Sequence, residues 1–274
     1  MKRRQFISSF IAGSGLTLFA SACSTSGSLL LSGDLPDLPS KSTSAITLTV
    51  SAAASLQDVL AAISPQFSTT HPDISIDYNF GASGSLQQQI QQGAPADIFF
   101  SAASQPMDEL AEKEMILPDS RKSIVANELA LIAPLATDIK ITDLSQLKHT
   151  SIQRFAVGEF RSVPAGQYAE QAFEKFDLLS SLRSKFVFGN NVRTVLSAVE
   201  SGNADLGMVY TTDAALSARV TVLATAPPNS HSPINYPIAI VKGTSAPNAA
   251  QTFIDFLTTE AAQQIFEDFG FGRS

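Results

Sequence analysis

Cysteine is almost absent. Cys23 is the only one among 274 residues, so no disulfide can form within the chain and stability must come from packing. Histidine is nearly as scarce: His71, His149 and His231 stand far apart and lack metal-ligand spacing. Basic residues are outnumbered, with 18 Lys and Arg against 25 Asp and Glu and a formal net charge of −7. No basic stripe exists to neutralise phosphates, which argues against a nucleic-acid partner. Charged residues of both signs reach only 16%, against 44% hydrophobic residues, a balance that excludes a disordered chain. The apolar run from Phe6 to Phe19 is too short to remain in a bilayer as a spanning helix.

That run belongs to an export signal expected over residues 1–23. Lys2, Arg3 and Arg4 form its charged head, and Ala20-Ser21-Ala22-Cys23 closes it with small residues. Arg3-Arg4-Gln5-Phe6-Ile7 resembles a twin-arginine signal, and Ala20 to Cys23 resembles a lipoprotein cleavage box. The expectation is lipidation at Cys23; ordinary cleavage near Ala22 is the alternative. The protein is then exported, to the periplasm or the outer face of the cytoplasmic membrane. Without this leader the chain carries −10, since its only charges are the three basic ones. Residues 24–45 are rich in Ser, Gly, Pro and Leu without a period and are expected to be a flexible tether, with a coil reach of about 25 Å.

From Ile46 onward short apolar runs alternate with amphipathic stretches, the pattern of an α/β fold with mostly parallel strands. Strands are expected at 46–50, 74–80, 97–100, 124–133, 155–158, 185–188, 206–210, 221–224 and 236–241. Helices are expected at 56–63, 85–92, 107–113, 165–176, 192–201 and 246–258, with Pro65 restarting the first one behind Ser64 as cap.

Four helix starts share a character. "AAAS" ends at Ser55, "FGASGS" surrounds Ser83, "VPAG" surrounds Ala165 and "GNNV" ends at Val192. Turns at the carboxyl ends of strands are where α/β sheets bind ligands. Each also presents unpaired N–H groups at the positive end of a helix dipole, a ready anion site. A single such turn is more simply a cap; four built from small or hydroxyl residues let a small ligand approach the backbone closely.

"AAASL" (52–56), "GASGSL" (81–86), "GAPADIFFSA" (93–102), "VPAGQYA" (163–169), "NVR" (191–193) and "GMVYTTDA" (207–214) resemble, in order, the periplasmic molybdate-binding proteins of bacterial molybdate ABC transporters. The resemblance runs from about Ile46 to Phe271 and implies a two-lobed periplasmic-binding-protein fold of the type II kind, with two mixed five-stranded sheets around a ligand cleft. Residues 46–127 plus 232–274 would form one lobe and 128–231 the other. Ser55 and Ser83 would give hydroxyl and N–H donors, Ala165 and Val192 N–H donors, and Tyr210 its phenol, to molybdate or tungstate. Partners would be that oxyanion and a membrane permease, with the protein a monomer, no cofactor and no catalysis. "GASGSL" departs from the family's serine run at Gly84.

Such a site needs no cation. Charge-assisted hydrogen bonds contribute ~1.5–3 kcal/mol each, so five to seven donors reach the roughly 8–12 kcal/mol of micromolar-to-nanomolar binding after association costs. An all-donor shell also rejects hydrogen phosphate, whose proton would find no acceptor. Asp97 is expected to be structural, Arg193 exposed or salt-bridged on its helix, Asp213 a cap for the turn after Tyr210, and Glu159 and Arg161 an ion pair, local or across the cleft. A hydrolase acting through Ser83 is the contrasting enzyme reading, but Gly81 to Ser85 is not the nucleophile elbow because its last position is serine.

Overall fold

The computed structural model describes residues 45–274. Cys23, the expected export signal and all but the last residue of the expected tether lie outside them. The described chain begins with β1 (Ile46–Ala53), a 3-10 turn (Ala54–Leu56), α1 (Gln57–Thr70), β2 (Ile74–Gly81) and α2 (Ser83–Gln91). It continues through β3 (Ile98–Phe100), α3 (Ser104–Glu112) and β4 (Lys122–Asn127). A second run holds β5 (Leu129–Pro134), β6 (Phe155–Gly158), α4 (Pro164–Lys175), α5 (Leu179–Leu182) and β7 (Phe186–Gly189). It ends with α6 (Val192–Glu200), β8 (Leu206–Tyr210), α7 (Thr211–Ala215) and β9 (Val220–Thr225). The chain then returns through β10 (Ile234–Ile240), α8 (Pro247–Leu257), α9 (Glu260–Asp268) and β11 (Gly272–Arg273).

These strands form two mixed sheets, one of six strands in the order β11-β4-β10-β3-β1-β2 and one of five in the order β7-β6-β8-β5-β9. Five strands were expected in each. The addition is β11, a two-residue strand antiparallel to β4, too short to show a period in the sequence; Arg273 holds it to Glu260 of α9 at 2.6 Å.

Every residue of β6 and β8 is buried, which fits near-continuous apolar runs in strands covered on both faces. Edge strand β2 instead alternates buried or half-buried with exposed positions over most of its length. No helix among the described residues is long and apolar enough to cross a membrane.

Two local expectations need correction. The run 124–133 is two strands, β4 and β5, in different sheets, because Asn127 Oδ1 takes the Glu128 N–H at 2.8 Å and the chain changes sheet there. Pro65 does not restart a helix: α1 runs through it. The lost backbone donor is outweighed by burial of Ile63 and Phe67 on either side, both 0% exposed, while Ser64 Oγ donates to the Leu60 carbonyl at 2.7 Å.

Candidate functional site

Strand register decides where the turns meet. In the parallel pair β1/β2, Ala53 stands opposite Gly81, so both strands end level and the Ser55 and Ser83 turns lie side by side. In β6/β7, Gly158 stands opposite Gly189, which levels the starts of α4 and α6. Tyr210 closes β8 at the same edge of its sheet, where ligands of α/β folds bind.

All five sequence-chosen residues, Ser55, Ser83, Ala165, Val192 and Tyr210, line one cavity of about 10 Å³, bounded otherwise by Ala, Gly, Val, Pro and Asn. No charged side chain lines it. None of the five is more than 4% exposed, so any polar group meeting a ligand here is desolvated and its hydrogen bonds are strengthened.

The wall from the six-stranded sheet is built of hydroxyls. Ser83 opens α2, and its Oγ accepts the Ala102 N–H at 2.9 Å, which leaves its own proton to be donated elsewhere. Ser55 Oγ lies 3.0 Å from the hydroxyl of Tyr236 on β10.

The opposite wall is built of helix starts. Ala165 and Val192 sit in the first turns of α4 and α6, where an N–H has no partner within the helix. A capping box holds the α6 start: Asn191 accepts the Thr194 N–H at 3.0 Å, and Thr194 Oγ1 accepts the Asn191 N–H at 3.1 Å. The α4 start presses so closely on β6 that a Cβ at Gly166 would lie 2.1 Å from the Gly158 carbonyl oxygen. Tyr210 Oη is buried without a hydrogen-bond partner. Burial, first of all, drives its pKa well above the usual phenol value, so it stays a neutral donor.

The two walls touch directly. The Gly84 N–H donates to the Ser162 carbonyl at 3.0 Å, and a Cβ at Gly84 would sit 2.7 Å from that oxygen. The departure at Gly84 therefore marks a backbone approach. Arg193 of α6 bridges as well: Nη2 lies 2.7 Å from Asp58 on α1, and Nε lies 2.7 Å from Asp213 Oδ1, the latter an ion contact without hydrogen-bond alignment. Asp213 stands in the first turn of α7, as expected of a residue at the turn after Tyr210, and is fully buried with Arg193 as its ion partner. Burial raises its pKa to about 6, with Arg193 opposing the rise.

Asp97 is structural, accepting the Thr49 N–H at 2.8 Å and the Thr244 hydroxyl at 2.5 Å. Glu159 and Arg161 pair locally at 3.1 Å. Sequence reasoning missed Tyr236 and Asn127. A phenol at the head of the apolar run 236–241 was the available signal, because a buried hydroxyl needs a partner.

The chain matches the family described as bacterial extracellular solute-binding protein over residues 48–272. It is 42% identical over 226 residues to YvgL of Bacillus subtilis, provisionally named an ABC transporter substrate-binding lipoprotein, covering 82% of this chain and 86% of that protein. It is 38% identical over 229 residues to the molybdate-binding protein ModA of Escherichia coli, covering 82% and 88%. Among solved structures, the substrate-binding domain of a provisionally named molybdenum ABC transporter from Clostridium difficile aligns with a TM-score of 0.66 at 38% identity, covering 84% of this chain and 99% of that one. With its two mixed sheets and a donor-lined cavity at their carboxyl edges, the chain belongs to the bacterial extracellular solute-binding protein family.

Proposed function

We propose that this protein captures molybdate, and tungstate with it, outside the cytoplasm and delivers it to the membrane permease of an ABC importer. The observation that carries the reading is the cavity itself, where residues from both sheets offer hydroxyls and helix-start amides and no charged side chain. Ser55, Ser83 and Tyr210 would donate hydroxyl protons, and Ser55, Ser83, Ala165 and Val192 backbone N–H groups, to a fully deprotonated tetrahedral dianion. The names of ModA and of the Clostridium transporter support molybdenum oxyanions as the cargo. The oxyanion is cargo and not a resident cofactor, and the protein acts as a monomer by binding and release without covalent chemistry. YvgL's lipoprotein name supports lipidation at Cys23, and the Arg3-Arg4 pair of the leader is the basis for export through the twin-arginine route.

Isothermal titration of the purified protein with molybdate, tungstate, sulfate and phosphate tests this. Tight binding of the first two, weaker binding of sulfate and none of phosphate is the expected order. Equal affinity for sulfate would overturn it.

A further inference from the structure

The polarity of the Ser55 hydroxyl can be traced, bond by bond, to a backbone amide at the crossing between the sheets. Asn127 is the last residue of β4, and one of its side-chain amide atoms lies 2.8 Å from the Glu128 N–H. A backbone N–H only donates, so that atom is Oδ1 and the other is Nδ2. Oδ1 also accepts from the Thr211 hydroxyl at 3.1 Å, while Nδ2 donates to Thr212 Oγ1 at 2.9 Å and to Tyr236 Oη at 3.2 Å. Tyr236 is 0% exposed and its oxygen already accepts from Asn127. Tyr210, whose ring lies 5.9 Å away, makes no hydrogen bond through its hydroxyl, so the single Tyr236 proton has one remaining partner, Ser55 Oγ at 3.0 Å. Ser55 accepts that proton and keeps its own for the cavity it lines.

Ser83 reaches the same condition in one step, through the Ala102 N–H. Both serines of this wall therefore take a proton from within the protein. Phe271 packs edge-on against the Tyr236 ring, with centroids 5.6 Å apart, and holds the phenol in place.

We propose that Asn127 and Tyr236 are positioning residues which make Ser55 a hydrogen-bond donor and so set the site's preference for fully deprotonated tetrahedral oxyanions over protonated ones. Hydrogen phosphate must donate a proton as well as accept several. A serine free to turn would take that proton; a serine already accepting from Tyr236 and donating to the ligand serves it poorly. This inference rests on the oxyanion reading above.

The test compares the parent protein, Tyr236→Phe, Asn127→Asp and the double variant by titration with molybdate and with inorganic phosphate. Both substitutions keep side-chain shape. Tyr236→Phe is expected to weaken molybdate by about fivefold to tenfold and phosphate by less, narrowing the ratio between them. Asn127→Asp reverses the chain. Its carboxylate accepts from Tyr236, Tyr236 then accepts from Ser55, and the Ser55 proton leaves the cavity; a loss of about thirtyfold for molybdate is expected. With Tyr236→Phe already present the same change should cost under about threefold. An equal cost in both backgrounds would mark a through-space charge effect and overturn the relay, as would a Tyr236→Phe protein with the parent's affinities for both ligands. A parent that binds no molybdate would instead sink the cargo assignment, and the relay's role with it.

Discussion

The two walls of the cavity solve one problem by different means. On the six-stranded side the proposed donors include two side-chain hydroxyls beside the amides of Ser55 and Ser83, and each hydroxyl has a second group to aim it: Ala102 for Ser83, Tyr236 for Ser55. On the five-stranded side two donors are amides fixed by the starts of α4 and α6, and the third, Tyr210, has no hydrogen-bond partner of its own. The contrast teaches where the site is open to mutation. Hydroxyl donors can be deleted singly but are tied to the surrounding network. Amide donors resist deletion, and Tyr210 can be changed without orphaning any neighbour.

The largest effect tests that contrast at Ser83. Ser83→Asp sets a carboxylate against a dianion and should abolish molybdate binding in titration. Ser83→Ala and Tyr210→Phe should each cost about one to two powers of ten, from ~1.5–3 kcal/mol per charge-assisted bond. Stability separates them. Ser83→Ala leaves the buried Ala102 N–H unpaired and should lower unfolding stability by about 1–3 kcal/mol in urea, whereas Tyr210→Phe should leave it unchanged. Equal stability losses would erase the distinction between the walls.

Next comes the seam. Gly84→Ala would put a Cβ 2.7 Å from the Ser162 oxygen, so the Gly84 to Ser162 hydrogen bond must break and the walls part. An affinity loss of about tenfold is expected, with the unfolding of the ligand-free protein altered far less. Unchanged affinity would mean that the walls need not meet in the liganded protein.

Much of this candidate site was legible in the sequence because the residues lining it belong to local features. A small residue or serine after a short β run and before an amphipathic helix marks a cap, whatever the tertiary fold. Ser55, Ser83, Ala165 and Val192 were found that way, and Tyr210 through the family resemblance. What stayed hidden depends on pairings distant in sequence. The Ser55 to Tyr236 bond spans 181 positions, and no local pattern says that β10 runs between β3 and β4. Gly84 looked like a lapse in a serine run until Ser162 was seen against it. Asp213 read as a cap because caps are local, whereas its partner Arg193 arrives from another helix. The chain changes sheet after residue 127, yet the side chain of Asn127 gave no hint of its four partners there.

What lies behind Tyr210 bears on stability and its pH dependence, not on affinity. Asp213 faces Arg193 from α6, Asp58 from α1, and the phenols of Tyr210 and Tyr236. Its folded pKa of about 6 lies above the roughly 3.9 of an exposed aspartate, so the folded chain holds the extra proton between these values. The corresponding stability is fully present below about pH 4 and is lost as pH rises through about 6, by at most ~1.4 kcal/mol per pH unit. Asp213→Asn cannot titrate. Urea unfolding of parent and variant from pH 4 to 7.5 should therefore show the parent's stability, relative to the variant's, falling as pH rises and levelling above about 6. The opposite slope would mean that Arg193 outweighs burial. The five-stranded wall would then rest on a permanently ionised pair, with Tyr210 held over a fixed charge rather than a carboxyl that burial tends to neutralise.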